Sequence, residues 1–141
     1  MKRHLFIFLL LLKTTLPLWA GEISWDALKG LESDPKTKTP LIKEDLKKLL
    51  KKEVTIKGFM MPLDFDAKSI SEFLFMPYLP ACQHVPPPPA NQVILVKMKK
   101  GANTPASFYP VELTGNLTVE ANKELDSGYK MEGLKVKELK Q

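Results

Sequence analysis

Within "PYLPACQHVPPPPANQ", residues 77–92, the chain carries its single cysteine, Cys82, and, two positions on, His84, the one histidine beyond His4. A thiol and an imidazole this close suggest metal ligation or thiol chemistry. The four prolines that follow, Pro86–Pro89, favour an extended backbone in the residue before them and form a stiff polyproline spacer of about 12 Å. If the preceding "ACQHV" is also extended, residues two apart point to the same side. Cys82 and His84 then face together, with Cβ atoms about 6–7 Å apart at a rise near 3.3 Å per residue. From there a thiolate at about 2.3 Å and an imidazole nitrogen at about 2.0 Å both reach one zinc or copper ion.

Such a site would be open. A structural zinc site takes four protein ligands, and one cysteine and one histidine leave the rest to water, carboxylates, thioethers or a second protein. Asp64 and Asp66 are the nearest acidic residues in sequence, and Met60, Met61 and Met76 are the thioether candidates. Asn91 or Gln92 can orient the histidine from behind. Two further readings stand beside the metal site. In one, Cys82 is a small buried apolar residue, His84 caps a turn, and the loop presents Tyr78, Pro86, Pro87, Pro88, Asn91 and Gln92 as a docking surface. In the other, Cys82 is a nucleophile with His84 as its base, which needs an orienting third group such as Gln83 or Asn91. No local protease signature supports that last arrangement.

Residues 1–20 read as a signal peptide, with Lys2 and Arg3 before the apolar run Leu5–Leu12 and small residues at Ala20-Gly21. Lys13 breaks the run short of the roughly 20 apolar residues of a membrane span. The expectation is a periplasmic protein, with membrane anchoring by an uncleaved signal as the alternative. No cysteine stands at the signal's end for a lipid anchor. Without Lys2, Arg3 and Lys13 the chain has 18 basic against 16 acidic residues. That near balance gives no support for nucleic-acid binding. A lone cysteine also excludes an internal disulfide, so stability must come from packing.

The elements that would position the loop follow from patterning. Residues 21–40 read as an irregular arm and linker, with "EISWDALKGLE" able to form a short helical turn through Trp25, Leu28 and Leu31. "TPLIKEDLKKLLKKE" predicts a helix capped by Thr39, with Pro40 at its first position and a stripe of Ile42, Leu46, Leu49 and Leu50. From Val54 the texture is β. "VTIKGFMMPL" is broken at Gly58 and stopped at Pro62, "FLFMPY" and "NQVILVKM" are apolar runs, "YPVELTGNLTVE" bends at Gly115, and "GYKMEGLKVKEL" alternates. Phe73, Phe75 and Tyr78 read as core, since the basic residues of a base-stacking surface are not interleaved with them. Five strands with two internal glycines predict a mainly β domain over residues 41–141: a small, bent, antiparallel five-stranded barrel of the oligonucleotide/oligosaccharide-binding (OB) type, led by an N-terminal helix.

These segments also carry a resemblance. "VTIKGFMMPL", "FLFMPYLPACQHVPPPPANQVI", "PVELTGNL" and "GYKMEGLKVKEL" resemble a bacterial family known as domain of unknown function 3299, over roughly residues 54–139. Its members share a Gly-Phe-x-x-Pro-Leu segment and a Pro-Tyr-x-x-x-Cys-x-His-Val-Pro-Pro-Pro-Pro-x-Asn-Gln block. Trp25 and Leu28 look like the family's start, and Ala90 departs from it where a fifth proline is common. The resemblance draws attention to Gly58, Pro62, Pro77, Tyr78, Cys82, His84, Pro86–Pro88, Asn91 and Gln92. It implies an exported or lipid-anchored protein without a settled activity, in an accessory role beside an envelope transporter or other membrane protein that handles metal ions. A non-enzymatic metal-binding accessory protein is the expectation, with the docking module and the thiol enzyme as alternatives.

Overall fold

A computed structural model describes residues 20–50, 52–80 and 84–140. The expected signal segment lies outside these residues except for Ala20, and so do Cys82 and Gln83. No helix among the described residues is long and apolar enough to cross a membrane.

The chain is mainly β. Five strands hold the core: β4 (Glu53–Pro62), β6 (Glu72–Met76), β7 (Ile94–Met98), β9 (Val111–Asn122) and β10 (Ser127–Glu138). Their pairings run in a closed cycle, β4 with β6, β6 with β7, β7 with β10, β10 with β9, and β9 back to β4. The expected all-antiparallel arrangement is corrected at one place. β10 lies between β7 and β9 and runs parallel to β7, from Tyr129 opposite Ile94 to Gly133 opposite Met98. The cause is order, since the last strand fills the gap between the third and fourth instead of following the fourth outward.

Gly58 marks where β4 changes partners. Glu53–Gly58 pair with β9, and Phe59–Pro62 pair with β6. The two partner strands converge there, and a Cβ on Gly58 would lie 2.6 Å from the Met76 carbonyl oxygen and 2.9 Å from the Trp25 ring. Only glycine allows that approach. Around the closed cycle, alternate side chains face one interior: Val54, Ile56 and Met60, Phe73 and Phe75, Ile94 and Val96, Leu113 and Leu117, Tyr129 and Met131.

β6 and β7 are buried on their other face as well. Leu74, Met76, Val93 and Leu95 form a second cluster, covered by Met61, Leu79 and Leu125. This double burial explains why "FLFM" and "VILV" are unbroken apolar runs where a half-buried strand would alternate. Two short strands, β5 (Ser69–Ile70) and β8 (Thr104–Pro105), pair across the connections at one end.

The segment before β4 is more ordered than an irregular arm. β1 (Gly21–Glu22) lies parallel to β4, α1 (Trp25–Leu28) forms the expected turn, and β2 (Leu31–Ser33) pairs with β3 (Pro40–Ile42). Ile23 and Leu28 enter the main core. The predicted helix at Thr39 therefore starts later. Pro40–Ile42 are drawn into the β2–β3 hairpin, and α2 covers Glu44–Leu49, burying Leu46. The hairpin turn is built on Asp34, whose Oδ1 accepts the backbone N–H groups of Lys36 and Thr37 at 2.7 and 2.8 Å. Those bonds, Thr37's foremost, hold the Asp34 carboxyl below its ordinary value.

Candidate functional site

Of the expected metal pair, the described residues contain His84 alone, and its side chain is exposed in a turn. Val85, Pro86 and Pro87 continue the exposed stretch, with Val85 at 41% exposure. On the near side, Leu79 packs into the second apolar cluster. Tyr78, 37% exposed, donates its hydroxyl to the Pro86 carbonyl at 3.2 Å. That bond ties residue 78 to residue 86, so His84 lies in a loop clasped at its base. Tyr78 is thus a loop clasp, while Phe73 and Phe75 are core as expected.

On the far side the loop turns inward. Pro88 is buried, and Pro89 leads into a single 3-10 turn, Ala90–Gln92, closed by Gln92 N–H on Pro89 O at 2.7 Å. Gln92 is 5% exposed. Its Nε2 donates to the carbonyls of Trp25 at 2.9 Å and of Asn91 at 2.8 Å. Asn91 donates Nδ2 to the Leu31 carbonyl at 3.0 Å. Tyr129, fully buried in β10, donates its hydroxyl to the Leu28 carbonyl at 2.5 Å.

Three of these bonds fasten the N-terminal arm. A helix as short as α1 leaves carbonyls without backbone partners. Those of Ser24, Asp26 and Ala27 accept N–H groups within the turn, whereas Gln92 and Tyr129 meet those of Trp25 and Leu28 in α1, and Asn91 meets that of Leu31 at the start of β2. Trp25 completes the attachment. Its Nε1 donates to the Lys57 carbonyl at 2.7 Å, and its ring lies 5.6 Å from that of Phe75. Asn91 and Gln92 therefore direct their amide N–H groups at the arm. The spacing of Trp25, Leu28 and Leu31 is visible in the sequence, but its three partners are set by tertiary structure.

The other suggested ligands are dispersed. Met60 is buried, and its sulfur accepts the Ser107 N–H at 3.3 Å. Met76 is buried and Met61 partly buried in the second cluster. Asp64 turns its carboxylate to the Asp66 N–H at 3.0 Å within its own turn. Among the described residues no three His, Cys, Asp or Glu side chains converge on a metal position.

Among curated proteins none matches the chain. A crystal structure of a DUF3299 family protein from Pseudomonas aeruginosa PAO1 is similar to it, at 30% sequence identity and a TM-score of 0.62, over 87% of this chain and 98% of that one. Residues 25–138 match the family described as "Protein of unknown function (DUF3299)", a range that takes in the arm from Trp25, the clasped loop and all five strands of the cycle. The chain belongs to the DUF3299 family.

Proposed function

We propose that this is an exported accessory protein of the bacterial envelope that offers Cys82 and His84 as an open two-ligand site for a zinc or copper ion. The observation that carries the reading is the exposure of His84 in a loop clasped at its base by Tyr78 and Pro86. A histidine kept only to fill the core would be buried, whereas one that meets a ligand must reach the surface. With the methionines buried or packed elsewhere, the remaining coordination positions fall to water or to a partner, as suits handing an ion on. Export rests on the character of residues 1–20, and the role beside a metal-handling transporter on the family resemblance. We also read the five-strand cycle as a small OB-like barrel. The insertion of the last strand between the third and fourth, a Greek-key feature, supports that reading.

Exposure of Tyr78, Val85, Pro86 and Pro87 beside His84 favours a second reading, in which the same loop is a protein-docking surface. Thermal unfolding of the reduced protein with and without Zn²⁺ or Cu⁺, beside a Cys82→Ser/His84→Ala variant, separates the two. An ion at 100 times its dissociation constant adds about 2.7 kcal/mol when it binds only the folded state. A metal-dependent rise in the wild type that is absent from the variant is the expected result. No rise in either protein removes the metal site and leaves the docking surface.

A further inference from the structure

The tips of two hairpins face a cleft of about 760 Å³ beyond the far end of the proline run. The β2–β3 hairpin gives it Leu31, Lys38 and Pro40, the β9–β10 turn gives Lys123 and Asp126, and Pro89 closes one side. Its volume falls within the roughly 300–1,000 Å³ of small-molecule sites.

Several costly features of the fold gather at this cleft. Lys38 and Asp126, at φ 59° and 48°, are the two non-glycine residues with positive φ among those described, and each lies at one of the facing tips. Aspartate adopts that conformation readily in turns, but lysine does so far less often. Ser127, in the cleft wall, is buried, and its hydroxyl has no hydrogen-bond partner among the described residues. Backbone strain and orphaned polar groups tend to persist where a site requires them.

The lining defines the chemistry. Leu31, Pro40, Pro89 and Val119 supply apolar walls. The one other acid in the lining, Glu32, is held by Lys43 at 2.6 Å. Lys38 and Lys123 then outnumber Asp126, and neither lysine is in an ion pair among the described residues. The geometry points to a binding site for a small organic anion, one carboxylate on an apolar body, with the anion between the two hairpin tips and the body along the proline and leucine wall. The site is separate from the exposed loop at His84 and does not depend on a metal there.

The test is a titration of the ¹⁵N-labelled whole protein with octanoate, followed by amide chemical shifts, with 1-octanol as the uncharged control. Octanoate should shift amides of residues 31–40 and 119–128 saturably, and octanol should bind at least several-fold more weakly. A Lys38→Asn/Lys123→Gln variant keeps the fold, because asparagine suits a positive φ, and should bind octanoate at least several-fold more weakly. Absence of shifts in those segments overturns the site. Equal binding of octanol, or unchanged octanoate binding in the folded variant, overturns the assignment to an anion.

Discussion

Residues 78–80 and 84–87 on one side, and residues 88–92 on the other, belong to one stretch of sequence, and they meet the rest of the protein in opposite ways. In the first stretch Leu79 is packed and Tyr78 reaches across to Pro86, while His84, Val85, Pro86 and Pro87 face solvent. In the second, Pro88 and Gln92 are buried, and the amides of Asn91 and Gln92 hold the carbonyls of Leu31 and Trp25. One stretch of sequence therefore contains two devices, one with exposed side chains and one fastening the N-terminal arm. Nearness in sequence does not distinguish them, but burial and the direction of the hydrogen bonds do.

The sharpest way to break that contrast is Gln92→Ala. It leaves the partly buried Trp25 carbonyl without its side-chain donor, and a buried group that loses its partner costs about 1–3 kcal/mol. We expect a loss near 2 kcal/mol by urea unfolding. A change under about 0.5 kcal/mol would mean that the arm is held by its apolar contacts alone.

Tyr129 fastens the same arm through Leu28, and burial pushes its phenol above the ordinary value. A folded-state pKa above the unfolded one leaves stability whole below the unfolded pKa, near 10, and erodes it as pH rises beyond that. The erosion has a ceiling of about 1.4 kcal/mol per pH unit. Urea midpoints should therefore fall between pH 9.5 and 11 by an equivalent of about 1 kcal/mol, and a Tyr129→Phe variant should lack this component of the fall. Identical slopes in the two proteins would refute the linkage.

The smallest effect belongs to the presenting half. His84→Ala should change stability by less than about 0.5 kcal/mol, as exposed substitutions do. A loss above 1 kcal/mol would show that the imidazole supports the fold, and the contrast between the two halves would disappear.

Much of the fold was legible in the sequence. The five main strands lie where apolar runs and alternation place them, and Gly58 and Gly115 fall inside strands as expected. Local pattern could not reveal partners. The helix predicted from Thr39 gave up Pro40–Ile42 to a hairpin with Leu31–Ser33, because a strand partner outweighed a good capping sequence. The parallel β7–β10 pair depends on strand order, which periodicity does not encode. At the loop, residue type drew attention to His84, Asn91 and Gln92 alike. The bonds from Asn91 and Gln92 to carbonyls some 60 residues away were invisible without coordinates.

The place of β10 has a consequence for how the protein comes into being. It is the last strand in chain order and holds both β7 and β9, while β9 returns to β4 with Glu53 opposite Asn116. Until residues 127–138 arrive, β7 and β9 present unsatisfied edges, and the closing contacts span much of the chain. Such long-range topologies fold slowly, and their incomplete forms are prone to aggregate. A polypeptide that cannot close before that strand arrives stays open until nearly all of its described length has been made.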